Sequence, residues 1–260
     1  MKTLKISALL FSLLLLANVA LFAQEITGLK IIQNVYDRPT GEDMKSELKM
    51  ILVNSSGGER VREIVQFSRD FGEVEKSIMF FAAPADVKNT SFMNWSYDED
   101  GKDDDQWIYL PALKKTKRIS SDSKSDYFMG SDFTYDDLGD RKPAQDTHKI
   151  LREETIDGKD CYVVESTPKD EDYMYSKTVT WIIKDKWVGV KKDFYDEDGD
   201  LLKTLTIKKV EYIEGFLVVT HSIMENIQKD HKTIIKLNDV KINTGISKSK
   251  FTERMMTRGI

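Results

Sequence analysis

The stretch LLKTLTIKKVEYIEGFLVVTHSIMEN, residues 201–226, decides the fold class of this chain. Two segments rich in β-branched and other apolar residues flank Glu214-Gly215, a dipeptide typical of the tight turn between antiparallel strands. The stretch therefore predicts a β-hairpin whose strands are Leu201–Ile213 and Phe216–Asn226.

Similar strand-length segments continue on both sides of this hairpin, separated by short turns rich in Asp and Gly. In the C-terminal half of the chain they are residues 150–156, 161–167, 178–183, 188–195 and 233–242. In the N-terminal half they are residues 48–52, 60–68, 73–82, 95–97, 106–110 and 117–120, and residues 84–92 interrupt them as a loop. Consecutive strands joined by such turns predict an antiparallel meander of roughly ten strands.

Two segments do not follow the strand pattern. Residues 28–38 carry apolar side chains at spacings of three and four, which predicts a helix with one apolar face. Residues 121–146 lose the alternation altogether. Since strand-like segments lie on both sides of residues 121–146, we interpret them as an insertion into one sheet.

The number of strands constrains the shape of the molecule. A sheet of this size curls or closes, and its inner face has to be covered. The N-terminal helix and residues 121–146 are too small to fill the concave side of such a sheet. We therefore predict a mainly β (α+β) fold, a strongly curved antiparallel sheet whose concave apolar side leaves room for a ligand.

The first 23 residues have the layout of a secretory signal. Lys2 and Lys5 precede an apolar run from Ser7 to Leu16, and Ala23 is a small residue at the expected cleavage position. We expect an exported, periplasmic protein whose mature part, residues 24–260, is one domain. Without residues 1–23 the formal net charge is −7, from 37 basic and 44 acidic side chains, which argues against a nucleic-acid partner.

The sequence contains no recognisable metal-site motif and a single cysteine. Cys161 is the only cysteine, so it forms no disulfide within the chain and is expected to be a small core residue. The acidic turns 98–105 and 196–200 lack the residue order of a calcium loop, and the three histidines are scattered along the chain. We expect neither a metal nor another cofactor.

Catalysis has one weak candidate. Ser131, Asp132 and His148 are the residue types of a hydrolase triad, but the Gly-x-Ser-x-Gly elbow that presents such a serine is missing. A lipid hydrolase therefore remains an unfavoured alternative, and we expect no catalytic residue.

Several motifs in the chain resemble one known family. The motifs are WIYLP at 107–111, FMGSDFTYDDL at 128–138, YDEDGDLLKT at 195–204 and HKT at 231–233. They resemble the bacterial outer membrane lipoprotein-sorting protein family, which is LolA-like and often encoded beside exporters of the resistance-nodulation-division (RND) type. The resemblance extends from about Gly28 to Arg254.

The resemblance implies an open half-barrel of the LolA/LolB type with a helical and loop lid. It also implies a periplasmic carrier or chaperone that binds lipid or lipoprotein acyl chains for transport toward the outer membrane. An RND-type inner-membrane exporter is the partner that the resemblance implies. The alternative is an accessory protein that docks on such an exporter without carrying lipid.

Apolar residues in the lid and on alternating strand positions are the candidate ligand contacts. In the lid segment 127–138 they are Phe128, Met129, Phe133 and Tyr135. On the strands they are Met50, Leu52, Phe67, Ile78, Phe80, Trp107, Tyr109, Val179 and Trp181. Alternation shows which residues share a face but not which face is concave, so a filled core remains the alternative interpretation for each of them.

Overall fold

The computed structural model describes residues 26–99 and 101–260, so the predicted signal segment 1–23 lies outside the described residues. Thirteen strands appear in this part of the chain, one for each of the thirteen strand-length segments recognised in the sequence, although the meander was predicted to have only roughly ten. They are β1 (Asp43–Val53), β2 (Glu59–Asp70), β3 (Val74–Ala83), β4 (Ser91–Tyr97), β5 (Asp105–Leu110), β6 (Lys115–Arg118), β7 (Asp146–Ile156), β8 (Lys159–Pro168), β9 (Lys177–Ile183), β10 (Val188–Tyr195), β11 (Leu201–Ile213), β12 (Phe216–Asn226) and β13 (His231–Ile242). The helices α1 (Gly28–Tyr36) and α2 (Glu253–Arg258) are short, and no helix of the described residues has the length and apolar character needed to cross a membrane.

All thirteen strands belong to one antiparallel sheet with the order β6-β5-β4-β3-β2-β1-β13-β12-β11-β10-β9-β8-β7. The first and last strands of the chain pair at the centre of the sheet, while β6 and β7 are its two edges. The sheet does not close, which confirms the predicted mainly β fold with an open half-barrel. Residues 119–145, which we call the insertion, connect one edge strand to the other.

The hairpin turns follow from local sequence. Asp157 and Gly158 have φ values of 51° and 72°, and Glu214 and Gly215 have φ values of 51° and 89°. Two consecutive positive φ angles define the two-residue turn that matches the twist of antiparallel strands. The Glu214-Gly215 turn joins β11 and β12, with Ile213 paired to Phe216, which confirms the hairpin predicted over residues 201–226.

Helix α1 and the insertion cover the same face of the sheet, the concave face. Ile31 of α1 packs against Val164 of β8 and Ile182 of β9. At the start of α1, a Cβ atom on Gly28 would lie 2.7 Å from the carbonyl oxygen of His148, so the helix approaches β7 as closely as a glycine allows. On the other half of the sheet, the side chain of Phe128 from the insertion packs into the concave face.

The opposite, outer face has a cover that the sequence did not predict. Ile246, Phe251 and Met256 from the C-terminal segment pack against Phe80 and Met93 of β3 and β4. Helix α2 has only six residues, which is too few for a periodic pattern to be recognised.

The prediction of a loop over residues 84–92 was wrong at its end, because β4 begins at Ser91. Residues 91–94 are buried on both faces of the sheet, so they lack the alternation by which a half-exposed strand is recognised.

Candidate functional site

A buried polar network holds the insertion against the sheet. Lys203 of β11 is fully buried, and its Nζ donates to Asp137 Oδ2 at 2.5 Å and to the carbonyl oxygen of Asp132 at 3.0 Å. The hydroxyl of Tyr175 donates to the second oxygen of Asp137 at 3.1 Å. Burial lowers the pKa of Lys203, while its carboxylate neighbours, Asp137 foremost, act in the opposite direction.

The same network continues to β13 through the carboxylate of Asp132. His231 Nδ1 lies 2.8 Å from Asp132 Oδ2, and the Thr233 hydroxyl donates to that oxygen at 2.7 Å. Asp132 therefore pairs with His231 and not with His148. The two ring nitrogens of His148 lie 2.8 Å from Ser166 Oγ and 2.8 Å from the carbonyl oxygen of Pro143. Ser131, Asp132 and His148 thus do not form a triad.

Aromatic side chains of the insertion fill one half of the concave face. The ring of Phe128 is fully buried, 5.1 Å from the ring of Phe92 and 6.0 Å from that of Phe81 between ring centroids. Tyr135 packs edge-on against Phe128 at 5.6 Å. Over β1 to β4 the chain thus completes its own core.

The other half of the concave face is filled only in part, by helix α1 and by a small buried cluster of Tyr175, Phe194 and Met224. A cavity of about 250 Å³, which we call the lysine cavity, lies between the insertion and strands β8 to β12. Its apolar wall consists of Phe133, Phe194, Leu205 and Met224. The polar residues that line it are Asp136, Asp137, Arg141, Asp146, Ser166, Tyr173, Tyr175, Thr178 and Lys192.

Most charged groups of the lysine cavity are paired with one another. Arg141 Nε lies 3.0 and 3.1 Å from the two carboxylate oxygens of Asp146, and the Arg141 guanidinium stacks 3.7 Å above the ring centroid of Tyr173. The Tyr173 hydroxyl donates to Asp136, whose pKa is raised by burial. Lys192 differs, since it forms no ion pair and no side-chain hydrogen bond with any residue that the structure describes.

A second, more apolar cavity lies on the same concave face, near the turn between β11 and β12. This rim groove has a volume of about 250 Å³. Its apolar wall is formed by Met44, Phe216, Leu217, Val218, Val219 and Leu237. Arg38, which follows α1, lines the groove and donates from its guanidinium to the carbonyl oxygen of Leu217 at 2.5 Å. The end of α1 is thereby fixed to β12 at the mouth of the groove.

The predicted contact residues lie on two faces of the sheet. Met50, Leu52, Phe128, Met129 and Tyr135 meet in one concave-face cluster, and Phe133 lines the lysine cavity. The remaining seven pack on the outer face: Phe67, Ile78, Phe80, Trp107 and Tyr109 beneath the C-terminal segment, and Val179 and Trp181 beside Cys161. Ligand contact stays a prediction for all thirteen.

Several cavity residues were missed from sequence, among them Lys192, Phe194, Leu205 and Met224. Their strands were predicted, but the bulge between Gly189 and Lys191 breaks the alternation in β10 just before Lys192. The only signal in the sequence was that two adjacent lysines in one strand must point to opposite faces.

No group of three or more His, Cys, Asp and Glu side chains within residues 26–99 and 101–260 has the arrangement of a metal site. Cys161 is a buried free thiol, and burial raises its pKa.

Known proteins resemble this chain in both sequence and fold. A family model described as that of an uncharacterized protein matches residues 73–258. The chain is 32% identical to a DUF1329 family protein from Desulfovibrio piger, with a TM-score of 0.83, and the alignment covers 88% of this chain and 97% of that chain. It is 35% identical to a putative outer membrane lipoprotein-sorting protein domain from Vibrio parahaemolyticus, with a TM-score of 0.83 and coverage of 89% and 98%.

A LolA superfamily protein from Nitrosomonas europaea shares the fold, with 21% identity, a TM-score of 0.68 and coverage of 88% of this chain and 99% of that chain. Among curated proteins, none matches the chain.

Proposed function

This chain belongs to the DUF1329 family, and from that premise we propose that it is a periplasmic carrier of lipid or lipoprotein acyl chains rather than an enzyme. The observation that carries the proposal is the cavity in the partly filled half of the concave face. There, Phe194, Leu205 and Met224 pack in a small buried cluster and also border about 250 Å³ of space that no side chain occupies. The proposal is also supported by the Vibrio parahaemolyticus relative, which is described as an outer membrane lipoprotein-sorting protein domain.

The mechanism of the proposed carrier is burial of an acyl chain. Each methylene group that moves from water into the apolar part of the concave face gains about 0.8 kcal/mol. About eight buried methylenes therefore contribute roughly 6 kcal/mol. Ile235 lies on β13 between Thr233, the partner of Met224, and Leu237 of the rim groove, so the two cavities lie on the same face of the sheet.

A bound chain has to leave again at its destination. By resemblance to the lipoprotein-sorting family, we propose that an RND-type inner-membrane exporter is the partner that exchanges cargo with the carrier. The cargo is then moved toward the outer membrane. A pull-down from crosslinked cells tests this partner, and a preparation without any such exporter would contradict it.

The test of carriage is native mass spectrometry of the protein released from its own periplasm under mild conditions. We expect the mass of the protein plus that of an acyl-chain lipid. Leu205→Trp fills the lysine cavity and should remove the adduct, whereas Thr206→Trp, one residue along on the opposite face, should retain it. An adduct-free wild-type protein would refute carriage and favour docking without cargo.

A further inference from the structure

The strongest unexplained feature of the molecule is the ammonium group of Lys192 inside the lysine cavity. The pairing of Lys192 with Thr180 on β9 and Leu205 on β11 directs its side chain to the concave face. Its Nζ lies 4.9 Å from the ring centroid of Phe194. The neighbour Lys191, by contrast, points to the outer face and pairs with Asp193 at 2.7 Å.

The carboxylates around the cavity do not neutralise Lys192 by direct contact. Asp137 is bound by Lys203, and Asp146 is bound by Arg141. Asp136 accepts a hydrogen bond from Tyr173, and burial raises its pKa, which favours its uncharged form. The cavity therefore holds an amine whose neighbouring carboxylates are already bound by other side chains.

A buried amine without a direct partner is costly to charge, and proteins pair such groups or use them to bind ligands. Burial lowers the pKa of Lys192, so a bound anion would favour its charged form. Phe194, Leu205 and Met224 lie beside this ammonium group, so the cavity offers a cation next to an apolar wall.

The structure assigns the lysine cavity to the head of an anionic single-chain amphiphile, with the carboxylate or phosphate on Lys192 and the acyl chain along Leu205 and Met224. This inference rests on the proposed carrier function and names the class of its cargo. Asp136, Arg141 and Tyr173 also line a polar groove of about 640 Å³, so the lysine cavity and this groove share one wall.

The experiment compares three amphiphiles with the same palmitoyl chain: palmitate, palmitoyl lysophosphatidate and monopalmitoylglycerol. Binding to the delipidated protein is measured by displacement of a fluorescent fatty acid. We expect both anionic probes to bind more tightly than the neutral glyceride, and the tighter of the two identifies the carboxylate or the phosphate as the preferred head.

The Lys192→Met variant should weaken the anionic probes by about tenfold or more, as expected when a hydrogen bond to a charged group is lost, and leave the glyceride within about twofold. Lys192→Arg should restore most of the loss, and Lys191→Met on the outer face serves as the matched control. Thermal melting curves verify that the variants are folded.

The failure of this inference is distinct from the failure of carriage. Equal binding of all three probes, unchanged by Lys192→Met, would overturn the anionic-head assignment while leaving the carrier function intact. Binding of none of the probes would overturn both.

Discussion

The anchor of the insertion is open to a quantitative test at Lys203. Replacing Lys203 by Met keeps the length of the side chain and removes the ammonium group that donates to Asp137 and to the carbonyl oxygen of Asp132. Removal of one partner from a buried ion pair typically costs about 3–5 kcal/mol, because the other charge stays buried. Asp137 retains hydrogen bonds from Tyr175 and from the backbone of Thr134, so we expect the lower end, about 3 kcal/mol.

For a chain of this size, a loss of about 3 kcal/mol lowers the melting temperature by roughly 6–12 °C. Urea unfolding measures the free energy directly, and hydrogen exchange of residues 127–138 should become faster than in the wild type. Adding Asp137→Asn should recover part of the loss, because it removes the unpaired charge.

Lys209→Met is the matched control, because Lys209 lies on the same strand in an exposed ion pair with Glu211. Its effect should stay below about 0.5 kcal/mol. If Lys203→Met costs no more than Lys209→Met, the buried network does not hold the insertion and this reasoning fails.

Two further predictions concern groups with shifted pKa values. Burial raises the pKa of Asp43, but hydrogen bonds from Thr244, Ile246 and Gly245 outweigh it and lower the net pKa below the usual range. Asp43 therefore contributes stability at neutral pH that is lost as the pH falls through its folded-state pKa. In urea titrations, the difference in unfolding free energy between the wild type and Asp43→Asn should shrink from pH 7 to pH 3. A constant difference would contradict the lowered pKa of Asp43. Cys161 is buried, and burial also raises the pKa of its thiol. Iodoacetamide should therefore label this thiol in the unfolded protein and not in the native one. Rapid labelling of the native protein would contradict the core position of Cys161.

The sequence was sufficient for the hairpins because its evidence is local. Turns such as Glu214-Gly215 and the period of two determine hairpins one at a time, which accounts for the two rows β1 to β6 and β7 to β13. The pairing of β1 with β13, which joins the two rows, is a contact between distant parts of the chain that no turn predicts. The strand Ser91–Tyr97 was harder, because burial on both faces removes the alternation that defines a half-exposed strand.

The candidate site was less accessible from sequence because it depends on contacts between distant residues. Trp107 and Tyr109 alternate as regularly as Met50 and Leu52, yet they belong to opposite faces of a curved sheet. The polar partners of the insertion are about 70 to 100 residues away in the chain, such as Lys203 for Asp132. No local pattern reveals such a pair.

Photo-crosslinking with a fatty acid that carries a diazirine near the end of its chain tests most directly that an acyl chain occupies the concave face. We expect labelled peptides from β10 to β12 around Phe194, Leu205 and Met224, and loss of this label in Leu205→Trp. Labelling confined to the outer face, or a concave-face label that Leu205→Trp leaves unchanged, would contradict it.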